Sequence, residues 1–208
     1  MNKGAALLDR ICSKFSDLPP GEVCVPCARA PASAAAPAGG LLTSVLHKAQ
    51  VMLGIPSGRL AVVADEVNPD SGTNNCGFII DAVRARLTGA TPKAIAPVPR
   101  SAAGRELTDG SWADIESRFG TKFSDNVGFE HAFKEVLDGG HGTMGLIKII
   151  RPDLSSHVAM IANNHGSVAI IEGQSGGFIS ESAVSATEIY DAKGKNSIGF
   201  AKLPEKFN

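Results

Sequence analysis

The feature that most restricts this chain is a change of hydrophobic period along its length. In the last third, "GLIKII" (145–150), "HVAMIA" (157–162) and "SVAIIE" (167–172) are short runs rich in β-branched residues with turn residues between them, and "SIGFAKL" (197–203) adds a fourth. Ahead of these the apolar spacing is helical. In "NNCGFIIDAVRARLTG", Ile79, Ile80, Val83 and Leu87 recur at the interval that lines one helix face, with Asn75 at the N-cap and Gly89 at the C-terminal stop. Further helices are predicted near 111–118, which carries the only tryptophan, Trp112, and near 126–137. Helices first and an antiparallel sheet afterwards predict an α+β fold.

The first forty residues read differently. Residues 3–17 place Ala6, Leu7, Ile11 and Phe15 at helical spacing until Pro19-Pro20 stops them. From Cys27 to Gly40 the composition falls to Ala, Pro, Ser and Gly, which bury too little apolar surface to repay ordering, so this stretch is predicted to be a linker. Two units result: residues 1–40 as a delivery or docking segment, and residues 41–208 as a single domain long enough for a full core. Within that domain 41–53 is expected to be a helix, and "RLAVVADE" (59–66) a strand that delivers the loop 67–75 to Cys76. "GATPKAIAPVPR" (89–100) must be extended or irregular, because prolines lack amide donors.

Charge narrows the function. The 20 Lys and Arg nearly cancel the 21 Asp and Glu, and no basic run occurs, so the electrostatic footprint of a nucleic-acid binder is missing. No apolar stretch reaches the length of a membrane span, and the N-terminus carries charges where a secretory signal needs an apolar centre. The expectation is a chain made in a cytoplasm with neither nucleic acid nor membrane as partner. Cys12, Cys24, Cys27 and Cys76 are too sparse for a disulfide scaffold. Cys24-x-x-Cys27 lacks the second ligand pair of a zinc site and the βαβ surroundings of a redox motif, so no metal or cofactor is expected.

Cys76 is the chemical question. A cysteine in the first turn of a helix meets unpaired amides and the positive end of the helix dipole, which stabilise a thiolate and can hold a developing oxyanion. The plainer alternative is a small buried apolar residue. A base decides between them, and His157 is the candidate. "HVAMIANNHGSVAIIE" reads as two strands around the turn "NNHG"; a symmetric hairpin pairs Ala162 with Ser167 and puts His157 opposite Glu172, whereas a turn shifted onto His165-Gly166 puts Gln174 there. His47 and His131 lie in helical stretches, and His141 and His165 in glycine-rich turns.

With Cys76, His157 and Glu172 collected, the sequence resembles the papain-fold bacterial toxin and effector family, which includes protein-glutamine deamidases. "NNCGFIIDAVRARLTGATPKAIAP" is similar to the family's cysteine segment, and "SSHVAMIANNHGSVAIIEGQSGG" to its histidine and acid segment; together the resemblance covers about residues 71–203. It implies a papain-like fold with the central helix starting at the nucleophile, Cys76 as that nucleophile, His157 as base and Glu172 as orienting acid. The family usually has Asp at the Glu172 position, so an extra methylene must be absorbed, for which Gly173 gives room; Gln174 is the alternative third member. Papain-like peptidases place a Gln oxyanion donor six residues before the cysteine. Asp70 stands there instead, which leaves Asn74 or Asn75 as the donor.

The implied activity is a thiol-dependent amidohydrolase converting Gln to Glu on a target protein. A cysteine peptidase, a peptidoglycan amidase and a non-catalytic binding module remain open beside it. The resemblance further implies delivery into a target cell by a specialised system of type VI or type III, without a Sec signal peptide. The expected partners are a substrate protein and a cognate immunity protein or a secretion chaperone.

Overall fold

The computed structural model describes residues 48, 53, 55–108, 110–181 and 194–208. The expected helix at 3–17, the linker at 27–40, Cys12, Cys24 and Cys27, and nearly all of the expected helix at 41–53 lie outside these residues. Four helices and a six-stranded sheet make up the remainder: α1 (Pro56–Glu66), α2 (Cys76–Thr88), α3 (Trp112–Phe119), β1 (Ser124–Asp125), α4 (Phe129–Asp138), β2 (Thr143–Ile150), β3 (Ser156–Asn164), β4 (Ser167–Glu172), β5 (Gly177–Ser180) and β6 (Ser197–Lys206). The sheet is antiparallel throughout, in the order β1-β6-β2-β3-β4-β5.

Both faces of the sheet are covered, which explains why its strands read as apolar runs. Met144 and Leu146 of β2 and Val158, Met160 and Ala162 of β3 join one core with α1, α2 and α3. The alternate residues Ile147, Ile149, Ala159 and Ile161 join a second core with Ala132, Phe133 and Val136 of α4. The period of two thus places successive apolar residues in different cores. Lys148 is the one charge inside β2. Its ammonium meets Asp125 at 2.5 Å and lies 5.5 and 5.0 Å from the ring centroids of Trp112 and Phe123, so ion pair and aromatic faces together compensate its burial.

The segment expected as a strand at 59–66 is instead α1. Leu60, Ala61, Val63, Ala64 and Val67 are all buried, which is helical spacing, and a proline stands in the first turn of the helix. The adjacent valines of "RLAVVADE" suggested a strand, but the period of the buried positions overrides their β-propensity. α2 begins at Cys76 and buries Ile79, Ile80, Val83 and Leu87, and it ends at Gly89 in the left-handed conformation (φ 76). α3 opens with a reciprocal capping box between Ser111 and Asp114. Residues 91–99 form no regular element. They act as a strap: the Ala96 N–H donates to Val67 O (2.6 Å), while Ala94 O accepts from Arg86 Nε (2.6 Å).

Arg86 is more than an off-face charge on α2. Its side chain is 8% exposed and it also reaches Glu66 Oε2 at 2.8 Å and Glu66 O at 3.1 Å, so one guanidinium joins α1, α2 and the strap. No helix among the described residues is long and apolar enough to cross a membrane.

Candidate active site

The loop ahead of α2 is built before the cysteine is reached. Asn68 brackets Gly72 from both sides: its Nδ2 donates to Gly72 O (3.0 Å) and its Oδ1 accepts from Gly72 N (3.1 Å). Within that bracket Ser71 takes φ 52, a left-handed conformation that non-glycine residues rarely adopt. A β-carbon on Gly72 would stand 2.6 Å from the Asn75 side chain, so the loop closes only around glycine. Cys76 follows, half-buried, as the first residue of α2.

Asn75 occupies the N-cap position, but its side chain makes no capping bond. Its amide hydrogens go to Asn68 Oδ1 (3.0 Å) and Pro97 O (3.2 Å) instead, and the residue is fully buried. Both side-chain donors are therefore committed to the loop and the strap. This arrangement gives Asn75 a structural task and leaves its amide no proton for an oxyanion. Asn74 is partly buried, and its backbone N–H donates to Glu106 Oε2 at 3.0 Å.

His157 arrives from the start of β3. The β3–β4 hairpin pairs Asn164 with Ser167 and Ala162 with Ala169, so its turn falls on His165 (φ 51) and Gly166 (φ 87). This is the shifted register, in place of the symmetric one that pairs Ala162 with Ser167. Continuing it sets Gln174 across from His157 and makes Glu172 a diagonal neighbour on the same face. Yet Glu172 holds the ring: His157 Nε2–H donates to Glu172 Oε2 at 2.8 Å. β4 ends at Glu172, and Gln174 turns away, donating through Nε2 to Thr73 O at 2.9 Å while its backbone N–H donates to Glu172 Oε1 at 3.1 Å. The extra methylene of Glu over Asp spans the diagonal.

Cys76 acts on the same imidazole and, with Glu172, favours its protonated form. His157 and Glu172 are buried (2% and 4% exposed), so of the three the cysteine is the most accessible. Burial by itself lowers the basicity of His157. The Glu172 charge and the nearby Cys76 outweigh it and push the pKa up to about 10. The ring is thus an imidazolium at neutral pH, placed between two groups that gain from its charge. Among the described residues no group of three His, Cys, Asp or Glu side chains is arranged to hold a metal ion.

Gly173 makes the approach of these segments feasible. A β-carbon there would lie 2.5 Å from methyl groups of both Val67 and Ile79, so the end of β4 packs directly on α1 and α2. The other histidines stand elsewhere: His141 and His165 stack at 3.7 Å between centroids, and His131 packs edge-on to Phe200. His47 lies outside the described residues.

The family described as papain fold toxin 1, glutamine deamidase, matches residues 74–177, half of the sequence. The chain belongs to this family. No curated protein matches the chain. Membership makes this papain-fold toxin a deamidase-type hydrolase, and its helix starting at Cys76 against an antiparallel sheet is the papain-like α+β arrangement. The matched region is narrower than the resemblance over 71–203 and leaves out β6, although β6 lies beside β2 near the middle of the toxin's sheet.

One acidic residue escaped the sequence reading. Glu106 Oε2 accepts from Thr73 N (2.7 Å), Thr73 Oγ1 (3.1 Å) and Asn74 N (3.0 Å), directly ahead of Cys76. It lies in an irregular segment where no period or spacing ties it to the cysteine, so the sequence carried no signal for it.

Proposed function

We propose that this toxin is a protein-glutamine deamidase acting through Cys76 as nucleophile, His157 as acid and base, and Glu172 as the group that orients His157. The observation that supports it best is the single imidazole shared between Glu172 and Cys76 at the N-terminus of α2. The Cys76 thiolate attacks the carboxamide carbon of a glutamine side chain. His157 then gives its proton to the departing nitrogen, ammonia leaves, and a thioester remains. Water adds to the thioester as His157 takes a proton from it, and the product glutamate leaves with the thiolate restored. The oxyanion is assigned to first-turn backbone amides of α2, which the Asn75 side chain does not cap.

A buried acid and base behind a half-exposed thiol suit a narrow group reaching inward, such as a carboxamide side chain on a protein surface. Gln-to-Glu conversion adds a negative charge there, which disrupts an interface by leaving that charge unpaired. The target lies in another cell, reached by a specialised secretion system. A cognate immunity protein covering the Cys76 cleft is the partner this reading calls for when that cell is bacterial.

Expression of the wild type and of Cys76→Ala at equal levels in a bacterium and in yeast tests the proposal. Toxicity is expected from the wild type in one host only and is lost with Cys76→Ala, while mass spectrometry of host proteins finds glutamine converted to glutamate without chain cleavage. Toxicity that survives the substitution overturns the role of Cys76. Cleaved host proteins without conversion make the chain a peptidase.

A further inference from the structure

The backbone that carries Cys76 is held from two sides by side chains that hydrogen-bond to neither Cys76 nor His157. On one side Glu106 Oε2 accepts from the Thr73 amide, the Thr73 hydroxyl and the Asn74 amide, at 2.7, 3.1 and 3.0 Å. Its second oxygen accepts from Arg100 Nη2 at 3.2 Å, and the Arg100–Glu106 bridge closes a hairpin that fixes where the carboxylate points. On the other side Gln174 Nε2 donates to Thr73 O at 2.9 Å, while the Gln174 backbone N–H donates to the Glu172 carboxylate. One path of hydrogen bonds therefore runs from Glu106 through Thr73 and Gln174 to Glu172 and His157, and so joins the cysteine segment to the histidine segment.

We infer that Glu106 and Gln174 form a two-sided clamp on the Thr73–Asn74 backbone that sets the separation of Cys76 and His157. Both are positioning residues, and the inference rests on the catalytic reading of Cys76. Charge-assisted bonds to backbone amides are about twice as strong as neutral ones. The segment they hold needs holding: Thr73 is exposed, and Ser71, two residues before it, is in the left-handed region. The position of α2's first residue follows that of the chain entering it, and a misplacement of about 1 Å at a reacting pair costs on the order of a hundredfold in rate.

The test follows alkylation of Cys76 by iodoacetamide against pH in the full chain, read at the Cys76 peptide by mass spectrometry. In the wild type the rate rises as the thiolate forms beside the His157 imidazolium. Glu106→Ala and Gln174→Ala each loosen that pair, so the acid limb moves up by about one pH unit and the rate below it falls about tenfold. Glu106→Gln keeps a carbonyl oxygen for the Thr73 and Asn74 amides but loses the charge assistance, so its limb lies between wild type and Glu106→Ala; a Glu106→Gln limb shifted as far as that of Glu106→Ala would make the charge and not the backbone bonds responsible and overturn the positioning role of Glu106. Acid limbs of Glu106→Ala and Gln174→Ala that coincide with the wild type overturn the clamp. If Glu106→Ala fails to fold, Gln174→Ala decides alone in the same way. A shifted acid limb in a chain that converts no glutamine upholds the clamp and overturns the deamidase reading, whereas deamidation with unshifted limbs does the reverse.

Discussion

In the proposed mechanism Glu172 has a larger part than its place at the end of a strand suggests. It stabilises the imidazolium, fixes the ring through Nε2, and is itself held by the Gln174 amide. Glu172→Gln keeps the shape and removes the charge that raises the His157 pKa. If His157 is the acid and base as proposed, the alkaline limb of kcat/KM lies near pH 10 in the wild type and is expected to move down toward the ordinary histidine range, with kcat falling about a hundredfold or more. Glu172→Asp retains the charge but is a methylene short of the diagonal, so kcat is expected to fall while the alkaline limb moves less. Steady-state ammonia release across pH separates the two. An unmoved alkaline limb in Glu172→Gln would remove Glu172 from the mechanism.

At the scale of elements, the site is a junction of three ends: the start of α2, the start of β3 and the end of β4. Groups carried on helices and strands are held more precisely than groups on loops. What lets them meet is the missing side chain at Gly173, between Val67 of the α1 end and Ile79 of α2. Gly173→Ala inserts a methyl into that contact and is expected to cost about 1–3 kcal/mol, read as a lower urea midpoint. It should also lower kcat, because a shift of β4 that relieves the clash carries Glu172 away from His157. A variant as stable and as active as the wild type would show that the junction has slack.

Across the whole molecule, the buried imidazolium ties folding to pH. His157 holds its proton up to about pH 10 in the fold, against an ordinary value of 6.5, so the folded state binds the proton more tightly than the unfolded chain. This contribution to stability is complete below about pH 6.5 and is lost as the pH climbs through 10. Urea unfolding from pH 6.5 to 10 is expected to show declining stability in the wild type and a flatter profile in His157→Asn. Identical slopes would mean that the ring is not charged in the fold. The two cores on either face of the sheet supply the stability that the buried pair draws on, since taking two charges out of water is itself unfavourable.

Local patterns in the sequence determined much of this protein. The spacing of Ile79, Ile80, Val83 and Leu87 with Gly89 defined α2, and the β-branched runs defined β2, β3, β4 and β6, because both periods are properties of the backbone that any buried face must follow. The symmetric turn read from the sequence set Glu172 directly opposite His157; the fold takes the shifted turn, which sets Gln174 there, and Glu172 reaches His157 across the diagonal instead. Other features belonged to the tertiary structure. The hairpin register depended on where positive φ is adopted, and the sequence "NNHG" permits that at more than one step. α1 was hidden because Val62-Val63 favour a strand locally, and only packing on the sheet chose the helix. Glu106, Asn68 and the true partners of Asn75 and Gln174 are contacts within and between loops, set by where the folded elements put them and by no repeat along the chain.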